Sequence, residues 1–137
     1  MTDRCVDVFF YGLFMDRAVL HDHEVLPVNA RRAYVDGFAL RIGRRAMLVP
    51  RPEARAYGMV FALTHRDLDR LYSAPGLEQY RPEAILVQVF EGEASPALCY
   101  NLQEEPQPDE GNAGYAERLR AVLTGLGFPH EYVVSVV

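Results

Sequence analysis

The chain has 137 residues, 50% of them hydrophobic and 24% charged, with a net charge of -5. That length supports one globular domain, residues 1–137, around a single sizeable core, and the acidic balance excludes a general nucleic-acid binder, which needs a basic surface for its phosphate contacts. No apolar run approaches the roughly 20 residues that cross a bilayer, and the opening "MTDRCVDV" has neither the basic start nor the apolar stretch of a signal peptide, so the sequence reads as cytoplasmic with no membrane partner.

In chain order, "DVFFYG", "RRAYVDGFALRIG", "RAMLVPR", "AYGMVFALT", "EAILVQVFEG" and "ALCYNL" are short, rich in Val, Ile, Phe and Tyr, and bounded by Gly or Pro, which is the pattern of strands. Six such runs predict a closed or nearly closed sheet. Between the fourth and fifth, "THRDLDRLYSA" begins with Thr64 as an N-cap and carries Leu68 and Leu71 at helical spacing, predicting a helix over 65–73. After the last run, "QEEPQPDEG" holds four acids and two prolines in nine residues and reads as a solvated connection. "NAGYAERLRAVLTGLG" puts Tyr115, Leu119, Val122, Leu123 and Leu126 on one face, ahead of the stop signals Gly125, Gly127 and Pro129. The closing "YVVSVV" alternates weakly, and either closes the sheet or finishes against it.

Within the first run, "VFFYGLFMD", Gly12 interrupts an apolar strand. Glycine there either makes a bulge or lets the next backbone N–H groups converge on a ligand, since it accepts dihedrals that other residues resist and permits close approach. Seven arginines against Asp36 and Glu53 between Arg31 and Arg55 leave a local excess of five positive charges, which either solubilises outer strand faces or receives an anion. Cys5 and Cys99 are too few for a disulfide framework and read as small buried thiols. His21 and His23 in "HDHE" fall in a turn or helix start, where i and i+2 positions do not converge on a metal. Ser73, Ser95 and Ser135 occupy no nucleophile elbow, and no dinucleotide loop or P-loop occurs.

The ordered set "FFYGLFM", "AYVDGFAL", "LVPRPEARAYGMVFAL", "LDRLYSAPG", "YRPEAILVQV", "ALCY" and "GYAERLRAVLTGLGFPHEYVVSV" resembles the gamma-glutamylcyclotransferase-like superfamily over nearly the whole chain, as a divergent member of bacterial type. The resemblance implies an α+β fold, a small mixed or antiparallel β-barrel flanked by helices. It implies a cavity floored by Tyr11, Gly12, Leu13, Phe14 and Met15 that binds the amino-acid end of a gamma-glutamyl compound, with Tyr80 and Tyr115 nearby. The reaction implied closes a ring: the substrate's α-amino group attacks its own γ-carbonyl, giving 5-oxoproline and a released amine. One carboxylate serves as general base and then general acid, backbone N–H groups hold the oxyanion, and no metal or cofactor is required.

The family pattern ends a helix in an acid followed by Gly. Here "SAPG" sets Pro75 before Gly76, and Glu78 is the nearest carboxylate, with Glu83 the second candidate. Two readings follow: a cyclotransferase working through Glu78, or a binding module that keeps the barrel and its pocket without the chemistry and takes a small amino-acid-like ligand. The sequence admits a homodimer without requiring one.

Overall fold

The computed structural model describes residues 4–137. Five strands form a closed barrel in the order β1-β3-β2-β4-β5. They are β1 (Cys5–Phe10), β2 (Val28–Ile42), β3 (Ala46–Thr64), β4 (Arg81–Val89) and β5 (Ala94–Asn101). Neighbours run antiparallel except at the closure, where β1 meets β5 in parallel through Val8 and Leu98. Four helices surround the barrel: α1 (Arg17–Asp22), α2 (His65–Tyr72), α3 (Ala113–Gly125) and α4 (His130–Ser135). No helix among the described residues is long and apolar enough to cross a membrane.

The number of strands differs from the six apolar runs. "RAMLVPR" and "AYGMVFALT" are one strand, β3, because the hairpin with β2 continues past the prolines. Its register passes from Asp36–Arg55 to Phe38–Pro50, so Arg51 to Ala54 stand opposite Gly37 alone. Gly37, at φ +87°, turns the chain there, and Pro50 and Pro52 sit on the exposed side of this bulge, where a missing N–H breaks no essential ladder bond.

"YVVSVV" does not close the sheet. It contributes most of α4, which finishes against the barrel with Val133 and Val136 buried. Cys99 is buried as expected, but Cys5 is exposed, since it opens β1 at the barrel's rim.

The core is continuous from barrel interior to helices. Val8, Phe9 and Phe10 are all buried, because β1 has the barrel interior on one face and helices on the other, which is why its run does not alternate. From α3, Ala116, Leu119 and Leu123 are buried and Val122 and Leu126 partly so. Glu117 and Arg118 are exposed, whereas Arg120 lies partly covered and donates to the Val136 carbonyl at 2.6 Å.

One polar side chain belongs to this core. Asn101, at the end of β5, accepts from the Leu48 amide at 2.9 Å and donates to the Leu48 carbonyl at 2.8 Å. The amide thus imitates a backbone pair and ties β5 to the start of β3 beyond Phe10, where β1 has ended. A polar group is tolerated there because both ends of the amide are satisfied.

Candidate functional site

Beyond Phe10 the chain leaves the sheet and makes a short 3-10 turn, Leu13–Met15. This turn, the end of α2 and the first turn of α3 enclose a predominantly apolar cavity of about 230 Å³. Of the residues singled out from sequence, Tyr11, Gly12, Leu13, Phe14, Tyr80 and Tyr115 line it. Met15 does not: it is fully buried beneath the turn and belongs to the core.

Gly12 has φ -115° and ψ -154°, an extended conformation open to any residue. Its lack of a side chain is required by contact instead, because a Cβ there would collide with the Tyr115 hydroxyl. That hydroxyl accepts from the Leu13 amide at 3.1 Å. Tyr115 is placed by the cap of α3, where the Asn112 side chain accepts from the Tyr115 amide at 3.1 Å. Of the loop amides proposed to converge on a ligand, Leu13 is therefore engaged by Tyr115, and Met15 donates to the Gly12 carbonyl at 3.0 Å.

The wall opposite the turn comes from α2. Thr64 caps this helix by accepting from the Asp67 amide, and Leu68 and Leu71 bury its inner face. Its last residue is Tyr72, which lines the cavity, stacks on Tyr100 with centroids 3.9 Å apart at 8°, and meets Phe14 edge-on at 6.0 Å. Pro75 is thus not the helix-end residue. The helix ends three residues earlier, and the side chain it turns to the cavity is a phenol.

The remaining tyrosines are fixed by hydrogen bonds. Tyr80 donates to the Ala46 carbonyl at 2.5 Å, and the Tyr11 hydroxyl lies 2.9 Å from the Tyr100 carbonyl and 3.2 Å from Asn101 Oδ1. Burial pushes Tyr11 and Tyr72 well above the ordinary phenol range, and raises Tyr80 and Tyr115 as well, the last offset in part by the Leu13 amide. All four stay protonated at neutral pH.

No Asp or Glu lines the cavity among the described residues. Glu78 is exposed in the turn after α2, where its carboxylate accepts from the Gly76 amide at 3.0 Å. Its own amide first, then that of Gly76, hold its carboxyl below the usual range, with a smaller contribution from Arg45. Glu83 is solvent-accessible near the start of β4 but shares the face of Ile85 and the buried Val87, stands opposite Cys99, and accepts from Asn101 Nδ2 at 3.2 Å. It does not line the cavity.

Sequence reasoning passed over Tyr72, and it held Arg44 and Arg45 only as part of the arginine-rich segment from Arg31 to Arg55; all three line the cavity. Tyr72 follows Leu68 by four residues, and that spacing is the signal for its face. Arg44 and Arg45 are exposed in the β2–β3 turn, and both also border an adjoining polar groove of about 540 Å³. Among the described residues no group of three or more His, Cys, Asp or Glu is arranged to hold a metal ion.

The family described as gamma-glutamyl cyclotransferase, AIG2-like matches residues 8–118. No curated protein matches the chain. Among solved structures, an uncharacterized protein from Homo sapiens, loc79017, is similar with a TM-score of 0.76 at 18% identity, over 98% of this chain and 87% of that one. A protein named gamma-glutamyl cyclotransferase gives a TM-score of 0.76 at 17% identity, over 96% of this chain and 86% of that one. YkqA from Bacillus subtilis gives 0.74 at 23% identity, over 96% of this chain and 52% of that one, so this chain spans about half of its length. At such identities the likeness is one of fold.

Proposed function

The chain belongs to the gamma-glutamyl cyclotransferase, AIG2-like family, and we propose that this member is a binding module whose cavity holds a small amino-acid-like molecule without cyclising it. The observation that carries this reading is the absence of any carboxylate from the cavity lining among the described residues, with Tyr72 filling the helix-end position. Ring closure needs a free amine, and an ammonium ion cannot attack a carbonyl. A base must take its proton and return one to the leaving nitrogen within direct or one-water reach. A phenol whose pKa is raised by burial does not take that proton at neutral pH, and the arginines at the rim are donors only.

A second reading keeps the cyclotransferase, because Leu77 lines the cavity and Glu78 is its neighbour in the chain. A swing of the turn after α2 would have to free Glu78 from the Gly76 amide and carry it inward. The two readings part in one assay, in which purified protein is incubated with a panel of gamma-glutamyl amines and peptides and 5-oxoproline is measured. The binding reading expects release no faster than in heat-inactivated protein. Release that is lost on Glu78→Gln substitution overturns it in favour of the second.

A further inference from the structure

From the polar groups that line the cavity, and resting on the reading that the cavity is a ligand site, we infer that its ligand keeps the acid end of an amino acid and lacks the free amine: a small carboxylic acid with an apolar or aromatic body, its carboxylate meeting Arg45 at the rim. The side-chain donors and acceptors of the lining are unbalanced. Tyr11 and Tyr80 direct their protons to backbone carbonyls. Tyr115 accepts from Leu13 and has its own proton left over, and the Tyr72 hydroxyl is engaged by no hydrogen bond among the described residues. Two carbonyls of the turn already accept a backbone hydrogen bond, that of Gly12 from the Met15 amide at 3.0 Å and that of Leu13 from the Asp16 amide at 3.1 Å. The cavity therefore offers two phenol protons and two guanidinium groups, and no anion.

Arg45 is seated for this role. Its guanidinium lies over Gly76, where a Cβ would stand 2.8 Å from Nη2, and Gly76 itself has φ +90°. The Arg45 guanidinium makes no ion pair or hydrogen bond among the described residues, and the carboxylate of Glu78, close enough to feel its charge, is turned to the Gly76 amide. Arg44 differs: it is 86% exposed and stands 3.7 Å from Glu110. A carboxylate entering from the groove side would meet Arg45 first, with the Tyr72 and Tyr115 hydroxyls deeper in.

An ammonium in the same space would meet two arginines at the rim and no acid in the lining. Desolvating a charge without a counter-charge is costly, and cation–π attraction from the aromatic walls offsets only a small part of that cost. The size suits a ring with a short acid chain, since an apolar cavity of about 150 Å³ accepts benzene and this one is about 230 Å³.

Three molecules with one skeleton test the inference in the full chain. They are 3-phenylpropionate, with an acid only; phenylalanine, with acid and amine; and phenethylamine, with an amine only. Thermal unfolding and calorimetric titration should show saturable stabilisation by 3-phenylpropionate, at least about tenfold weaker binding of phenylalanine, and none of phenethylamine. Arg45→Gln should leave the unliganded melting temperature unchanged and weaken the acid about tenfold or more, as expected for a hydrogen bond to a charged group. Equal or tighter binding of either amine, no binding of the acid, or an Arg45→Gln protein that binds the acid normally would overturn the inference. Preference for phenethylamine would sink this ligand class while leaving the binding module standing, whereas 5-oxoproline release sinks the binding module whatever the acids do.

Discussion

The hydroxyl of Tyr115, carried in by the first turn of α3, occupies the space that a side chain on Gly12 would need. The strand-to-turn junction and the C-terminal helix are fitted to each other at this point, with the Leu13 amide donating to the same hydroxyl. Gly12→Ala should push Tyr115 aside and break that bond, at a cost of about 1 to 3 kcal/mol. In a Tyr115→Phe background the oxygen is gone, so the same alanine should cost at least about 0.5 kcal/mol less. Denaturant unfolding of the four proteins measures the coupling, and strict additivity would show that Gly12 is there for another reason.

Asn101 carries a second long-range fit. Removing its amide in Asn101→Ala would leave both the amide and the carbonyl of Leu48 without partners inside the barrel. Each buried orphan costs about 1 to 3 kcal/mol, so the substitution should destabilise more than Tyr11→Phe, which removes one hydroxyl from the same cluster. Equal losses in chemical denaturation would contradict the pairing role of Asn101.

Leu123 is fully buried where α3 lies on the barrel. Leu123→Ala should cost roughly 2 to 5 kcal/mol through the cavity it leaves, while Glu117→Ala, on the exposed face of the same helix, should stay within about 0.5 kcal/mol. Calorimetry that finds the two equivalent would remove α3 from the core.

The barrel and α3 were legible because each rests on a local pattern: β-branched and aromatic runs, or apolar residues at helical spacing. The fusion of two runs into β3 was not, since Pro50 and Pro52 read as strand breaks until the bulge at Gly37 gives them an exposed place. At the site, the tyrosines and Gly12 announced themselves as residues out of keeping with a plain strand or helix face. Glu78 lies only two residues beyond Gly76, the glycine that the family pattern would precede with its acid. Its carboxylate instead satisfies a backbone amide in the tight turn after α2, a short-range hydrogen bond with no apolar periodicity to betray it. The Tyr72 phenol was hidden for the opposite reason, as one more aromatic residue on a helix whose apolar face already accounted for it.

Alkaline pH should weaken the fold in a defined window. Burial raises the Cys99 thiol and the Tyr11 and Tyr72 phenols, so each holds its proton more tightly folded than unfolded. Stability from such groups is fully present below their unfolded values, about 8.5 for Cys and about 10 for Tyr, and falls as pH rises above them. Each contributes a slope of up to about 1.4 kcal/mol per pH unit. Unfolding free energy should therefore decline from about pH 9 and steepen above about pH 10, and Tyr11→Phe should flatten the upper part. A profile level to pH 11 would mean that these groups are wetter than their burial implies.

The helix-end position offers the sharpest test of the binding-module reading. Tyr72 faces the cavity from the last residue of α2, and Glu78 is exposed with its carboxylate engaged by Gly76. Glu78→Gln should accordingly leave binding of 3-phenylpropionate within about twofold, a change of less than about 0.5 kcal/mol. Tyr72→Glu places an acid where the phenol stands, among aromatic walls that raise a carboxyl pKa toward the working range, with Arg45 at the rim limiting the rise. Tyr72→Gln is the matched control: both variants lose the stack on Tyr100, worth about 0.5 to 1.5 kcal/mol, and only one gains a base. Because a positioned acid–base group contributes about 10²- to 10⁴-fold, Tyr72→Glu should release 5-oxoproline from a gamma-glutamyl amine at least about tenfold faster than Tyr72→Gln. If both variants fold and both are silent, the missing acid is not what separates this cavity from catalysis, and the shape of its tyrosine walls must also exclude the gamma-glutamyl group.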